Sequence, residues 1–164
     1  MAMQKITPCL WFDTQAEEAA NLYVSLFPNS KITSVLLTDA AAAQASGQKE
    51  GSVLFIEFEL DGERFSALNG GPMFKFNESV SLMIEYSTQE EIDHYWYGLT
   101  ANGGGESQCG WLKDRFGLSW QVTPKQLLKM QSDEDSAKAG RVMKAMLGMK
   151  KLDLKSLENA FNNG

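Results

Sequence analysis

Little in this sequence can hold a metal, pair with another thiol or enter a membrane. Histidine occurs once, at His94, and the two cysteines, Cys9 and Cys109, lie far apart with no Cys-x-x-Cys spacing. A histidine-rich metal centre is thereby excluded, and thiols so placed are expected to be reduced rather than paired. No run approaches the roughly 20 apolar residues of a membrane span. Met1 to Ile6 lacks the basic-then-apolar layout of a secretory signal, so a cytoplasmic location is expected. Basic residues are also in the minority: 15 Lys and Arg against 21 Asp and Glu give a formal charge of -6. That balance repels nucleic acid and anionic lipid, and neither is expected as a partner. At 164 residues, the chain suits one compact domain, 1–164, that can bury its core without disulfides or structural metal.

What the chain does have, it has twice. Phe12-Asp-Thr-Gln-Ala-Glu-Glu-Ala-Ala-Asn-Leu-Tyr23 is echoed about half the chain later by Glu85-Tyr-Ser-Thr-Gln-Glu-Glu-Ile-Asp-His-Tyr-Trp96. Each copy offers a Thr, Thr14 or Thr88, to accept an orphan N–H at a helix start. Glu17 or Glu91 stands three residues on to complete a capping box. Ile6 to Phe12 reads as a strand and Thr14 to Phe27 as a helix ended by Pro28. Ser30 to Thr38 and Gly51 to Leu60 are β-rich, separated by the small-residue stretch Asp39 to Gly47, which suits a loop or a helical turn. Asp61-Gly62 supplies the positive-φ pair of a tight hairpin into Arg64 to Asn69. After Gly70-Gly71-Pro72 and a connector carrying Phe74 and Phe76, the pattern restarts. Val80 to Tyr86 is a strand, and Gln89 to Ala101 is a helix burying Ile92, Tyr95, Trp96 and Leu99. Ser107 to Lys113 and Leu118 to Thr123 are strands joined at Asp114 to Gly117. Beyond Pro124 the composition predicts helices from Asp133 to about Leu147, capped by Ser132 or Asp133, and from Asp153 to Phe161. The fold class is α+β: paired βαβββ modules at 5–72 and 78–123 with a helical extension at 124–164. A ligand cleft is expected between the modules.

Paired βαβββ units resemble the vicinal-oxygen-chelate superfamily of glyoxalase I, extradiol dioxygenases and bleomycin- and fosfomycin-resistance proteins. Cys109-Gly-Trp-Leu-Lys-Asp-Arg-Phe-Gly-Leu-Ser-Trp-Gln-Val-Thr-Pro124, Ala67-Leu-Asn-Gly-Gly-Pro72 and Gln89-Glu-Glu-Ile-Asp93 are similar to its PhnB-like branch. The tail, Ala139-Gly-Arg-Val-Met-Lys-Ala-Met to Lys151-Leu-Asp-Leu-Lys-Ser-Leu-Glu, shares that similarity. The branch often carries the label 3-demethylubiquinone-9 3-methyltransferase. Metal-dependent members of the superfamily hold one divalent ion on four strand residues. Here the corresponding slots fall on Thr7, on Ala67 or Asn69, on Ser81 and on Gln121. Hydroxyls and amides bind such ions weakly without imidazole, thiolate or carboxylate beside them, and Glu57 and Glu85 cannot complete a set, so no metal is expected.

Strand alternation puts Thr7, Cys9 and Trp11 on one face, Ser81, Met83 and Glu85 on another, and Ser119, Gln121 and Thr123 beside them. The expected pocket is Thr7, Cys9, Trp11, Glu57, Asn69, Ser81, Met83, Glu85 and Gln121. Glu85, if desolvated by Trp and Met neighbours, is the candidate general base. Cys9 reads as a small apolar packer, His94 as a surface residue, the glycine runs as turns, and Trp111 and Trp120 as core or subunit-interface aromatics. The function expected is metal-free binding of a small hydrophobic or amphipathic molecule by a homodimer. The alternatives are an enzyme, with methyl transfer from S-adenosylmethionine to a quinone precursor implied by the label, or a dimeric interaction module. The first strand-to-helix turn, Asp13-Thr14-Gln15, lacks the glycines of a Rossmann-type cofactor site, so no cofactor is expected under the preferred reading.

Overall fold

Alternation in the first half produces a four-stranded sheet with one covered face and one open face. The strands are β1 (Cys9–Phe12), β2 (Lys31–Leu37), β3 (Val53–Leu60) and β4 (Glu63–Asn69), in the order β1-β4-β3-β2. β1 runs parallel to β4 and the remaining neighbours are antiparallel. Helix α1 (Ala16–Leu26) lays Ala16, Ala19, Ala20 and Tyr23 against the sheet, where Leu10 and Phe12 of β1, Ile56 and Phe58 of β3 and Ala67 of β4 are buried. The computed structural model describes residues 4–163 and divides the chain into two compact units, Met1–Phe76 and Asn77–Gly164. Met1 to Met3, which open the segment weighed against a signal layout, and Gly164, which ends the extension, lie outside the described residues. Among the described residues no helix is long and apolar enough to cross a membrane.

Local chemistry explains both the agreements and the departures. The Asp61-Gly62 hairpin forms with φ of 49° and 85°, the left-handed pair its sequence requires. Asp39 to Gly47 becomes a short helix, α2 (Ala40–Ser46), because the Asp39 carboxylate accepts the Ala42 N–H at 2.7 Å and Gly47 closes it in the left-handed region. The expected Thr14 capping box does not form. Helix α1 starts at Ala16 with Gln15 at its N-cap, and Asn69 Oδ1, arriving from β4, accepts the Ala16 N–H at 2.8 Å. A buried partner brought by tertiary structure thus replaces the local one.

The second unit repeats the plan: β5 (Ser81–Tyr86), α3 (Gln89–Thr100), β6 (Gly105–Glu106), β7 (Trp111–Lys113) and β8 (Ser119–Pro124), ordered β5-β8-β7-β6. Here the capping box is complete: Thr88 accepts from the Glu91 N–H, and Glu91 Oε2 accepts from the Thr88 N–H at 3.1 Å. Helix α3 buries Ile92, Tyr95, Trp96 and Leu99. The strand expected over Ser107 to Lys113 is interrupted because Cys109 and Gly110 turn the backbone at φ of 58° and 84°. Their N–H groups donate to Met149 and Lys150 carbonyls at 2.8 and 2.7 Å, while the Gly110 carbonyl accepts from Val122. The sheet and the tail are therefore joined through their backbones. A Cβ on Gly110 would sit 2.8 Å from the Val122 carbonyl oxygen, so glycine is required there.

The tail contains one more helix than its composition suggested. α4 (Gln126–Gln131) leaves β8 directly and has no side-chain cap. α5 (Ser136–Leu147) is capped by Asp135, not by Ser132 or Asp133; the Asp133 carboxylate instead accepts the Asp135 N–H at 3.0 Å. α6 (Leu154–Asn162) is capped by Asp153 as expected. Leu127, Met130, Val142, Leu152 and Leu157 form a cluster of their own, flanked by Met146, Met149 and Phe161. Leu128, Met143 and Leu147 on the same helices stay exposed.

Candidate functional site

Register decides which side chains each sheet presents on its open face. In the first unit Cys9 pairs with Ser66 and Trp11 with Leu68, opposite Glu57 and Phe55 on β3. The expected grouping of Cys9, Trp11 and Glu57 on one face is therefore present, with Thr7 in the alternate position ahead of Cys9. These residues are already engaged in ways that the alternation pattern could not show. The Trp11 indole N–H donates to the Gly71 carbonyl at 2.9 Å, its ring meets Phe74 edge-on at 5.0 Å, and Gly70 lies against it with no room for a Cβ. Glu57 lies 3.5 Å from Arg64. Asn69 pairs with Phe12 on the covered face and is 4% exposed. Its amide donates to the Val53 carbonyl at 2.8 Å while its oxygen holds α1. It is placed apart from the Thr7, Cys9 and Trp11 group, although it borders a polar hollow with Thr14, Glu17 and Lys49.

In the second unit Ser81 pairs with Ser119, Met83 with Gln121 and Glu85 with Thr123; Trp111 lies beside Gln121 and Lys113 beside Ser119. Over the Met83–Gln121–Trp111 row and the neighbouring Glu85–Thr123 pair lies a pocket of about 270 Å³. Its other wall is the tail: Leu127, Leu128 and Gln131 of α4 and Met146 of α5, with Cys109 at the hairpin bend. Three of the expected pocket residues, Met83, Glu85 and Gln121, line it together, whereas Ser81 lies outside the lining and accepts from Gln121 Nε2 at 2.8 Å. Glu85 is exposed on β5 rather than desolvated, which removes the argument that made it a general base.

Trp111, Cys109 and the tail residues were not among the expected pocket residues. Trp111 and Trp120 look alike in sequence, but the register separates them. Trp120 is core, donating to Asp114 Oδ2 at 2.9 Å, whereas Trp111 faces the pocket half-buried. The only advance signal was that Trp111 sits one residue from a glycine able to turn the strand. His94 is exposed on α3, as expected, with its ring edge-on to Tyr95. Both cysteines are free thiols.

The metal that the superfamily implies does not fit these side chains. Among the described residues no group of three or more His, Cys, Asp or Glu comes together. Of the slot residues, Ser81 and Gln121 are hydrogen-bonded to each other, and Asn69 is committed to the α1 terminus and Val53. No hard or borderline ion would find a competitive donor set there. A second small hollow, lined by Glu78, Glu106, Lys113 and Ser119, has its charges spent within the protein: Lys113 lies 2.5 Å from Glu78, and Glu106 accepts the Trp96 indole N–H at 3.0 Å.

The family model described as 3-demethylubiquinone-9 3-methyltransferase matches residues 4–123. A solved PhnB protein from Bacillus cereus, given the provisional description 3-demethylubiquinone-9 3-methyltransferase, is 35% identical, with 74% of this chain covering 99% of that one at a TM-score of 0.66. A solved protein from Pseudomonas aeruginosa is 17% identical over 74% of this chain and 98% of its own, with a TM-score of 0.59, and shows the fold alone. No match was found among curated proteins. The family match ends within β8, so the tail helices lie beyond it. Taken with the two βαβββ modules, these matches mean that the chain belongs to the 3-demethylubiquinone-9 3-methyltransferase family, the PhnB-like branch of the vicinal-oxygen-chelate superfamily.

Proposed function

We propose that the protein binds a small amphipathic molecule in the pocket between its second sheet and its tail helices, and does so without a bound metal or S-adenosylmethionine. The observation that carries this reading is the pocket's construction. Met83 and Trp111 on the sheet face Leu127, Leu128 and Met146 on the tail, with Glu85, Gln121 and Gln131 as the polar points. An apolar cavity with a few placed polar groups is the usual form of a ligand site, and its volume lies just below the roughly 300–1,000 Å³ of most such sites, which favours a compact ligand. A structure determined after soaking with candidate ligands tests the reading. Density between Trp111 and Met146 is expected, and a ligand seated away from these residues overturns it. Elemental analysis of the purified protein is expected to find no stoichiometric divalent ion.

The family label favours a second reading, methyl transfer from S-adenosylmethionine. The turn after β1, Asp13-Thr14-Gln15, has no glycine fingerprint, and the α1 terminus it leads to is held by Asn69. Calorimetric titration separates the two readings, because saturable S-adenosylmethionine binding would support transfer. A homodimer belongs to the first reading: edge strand β2 leaves Val35, Leu36 and Leu37 at 47%, 56% and 54% exposed. Light scattering is expected to give twice the chain mass.

A further inference from the structure

The second-unit pocket carries one charge, a negative one, together with several unused acceptors. Gln121 spends its amide N–H on Ser81 Oγ at 2.8 Å, and Gln131 directs its own at the sulfurs of Met146, at 3.2 Å, and Met143, at 3.9 Å. Each amide keeps its carbonyl oxygen for a ligand. The Thr123 hydroxyl donates to the Ile84 carbonyl at 3.3 Å. Glu85 carries two carboxylate oxygens and no donor, and no Lys, Arg or His lines the pocket. The donors left to a ligand are the Trp111 indole N–H, the second amide hydrogen of Gln121 and the weakly donating Cys109 thiol, none of them charged. A ligand that brings donors to Glu85 and to the two free amide oxygens leaves the fewest groups without partners.

The apolar part of the lining has its own preference. The Trp111 indole attracts a cation or stacks on a ring, and the Met83 and Met146 thioethers make polarisable contacts with aromatic groups. An anion would meet Glu85 with no compensating positive charge.

We infer that this pocket selects an organic ammonium ion on a compact aromatic or branched apolar body, with Glu85 facing the charge and Trp111, Met83 and Met146 enclosing the body. The inference rests on the small-molecule reading above and narrows it to one chemical class. The tail supplies half of the enclosure, so the selectivity belongs to this chain's extension as much as to the family's sheet.

Three probes with one body and different heads test it: 2-phenylethylamine, 2-phenylethanol and phenylacetate, titrated calorimetrically into the full-length protein at neutral pH and low salt. The amine is expected to bind about tenfold more tightly than phenylacetate, because the exposed Glu85 attracts the one and repels the other at low salt, each by about threefold. Glu85→Gln should shrink that gap to within about threefold, weakening the amine and strengthening phenylacetate. Phenylacetate binding as tightly as the amine overturns the inference while leaving the pocket reading intact. So does an amine preference that survives Glu85→Gln. If none of the three probes shows saturable binding, both readings fall together.

Discussion

Asn69 shows how one side chain can settle the geometry of several elements. It lies at the end of β4, 4% exposed, with its oxygen on the Ala16 N–H and its amide on the Val53 carbonyl, each at 2.8 Å. Removing it leaves the buried Ala16 N–H and the part-buried Val53 carbonyl without these partners, and a buried loss costs roughly 1–3 kcal/mol. Asn69→Ala is therefore expected to lower stability by about 2–4 kcal/mol, read as a shift in denaturant midpoint with an unchanged slope. Thr14→Ala is the matched control. Thr14 is exposed and caps nothing, so its replacement should stay within about 0.5 kcal/mol. A large effect at Thr14 with none at Asn69 would restore the local capping box that the sequence suggested. Two near-identical motifs, Thr14-Gln15 and Thr88-Gln89, thus behave differently, because only the first has an asparagine delivered from another strand. A window of neighbouring residues holds no information about that delivery.

The tail is held on α3 by polar contacts rather than by its apolar cluster alone. Gln89 donates to Asp93 at 2.9 Å and to the Leu152 carbonyl at 3.2 Å, and accepts the Leu154 N–H at 2.8 Å. Lys151 lies 2.5 Å from Asp93, 3.0 Å from the Tyr97 hydroxyl and over the Tyr97 ring at 4.6 Å. Burial pushes the Asp93 carboxyl up, but the Lys151 ammonium and the Gln89 amide outweigh it and hold it below the ordinary range. Burial likewise pulls the Lys151 ammonium down, and Asp93 with Tyr97 more than offsets it. A carboxyl with a depressed folded value stabilises above its unfolded value, near 3.9, and the benefit is lost as pH falls through the folded value. A raised lysine contributes fully below its unfolded value, near 10.4, and loses that contribution as pH rises through the folded one. The gap between the wild type and Asp93→Asn should therefore be flat at intermediate pH and close at both ends. Its size is discounted for exposure, because the Asp93 side chain is 37% exposed, and about 0.5–1 kcal/mol is expected from thermal melts across pH. A gap that stays constant across both the acid and the alkaline limbs would assign the effect to packing instead.

For the whole molecule, what could be read in the sequence follows the range of the interactions involved. The two modules were legible because periodicity, the Asp61-Gly62 turn and the Thr88 box are local. The Met83, Glu85 and Gln121 face was legible because alternation within a strand is local too. The other pocket wall was not, because α4 has no capping side chain and the turn at Cys109 and Gly110 is held by carbonyls some forty residues onward, at Met149 and Lys150. The tail also lies outside the matched span 4–123, and the Bacillus cereus relative is covered almost end to end without needing the whole of this chain. A fold that closes without the tail and a pocket that depends on it make opposite demands on a chain ending at Thr123. Such a chain should still unfold cooperatively, because the cores under α1 and α3 remain. Its midpoint should fall, because Cys109 and Gly110 lose their backbone partners and Trp111 loses its cover. Calorimetric titration should detect no saturable binding of 2-phenylethylamine or 2-phenylethanol by this shortened chain, while circular dichroism confirms its sheets. Undiminished binding by a folded, tail-less chain would move the ligand site away from α4 and α5 and return it to strand residues alone.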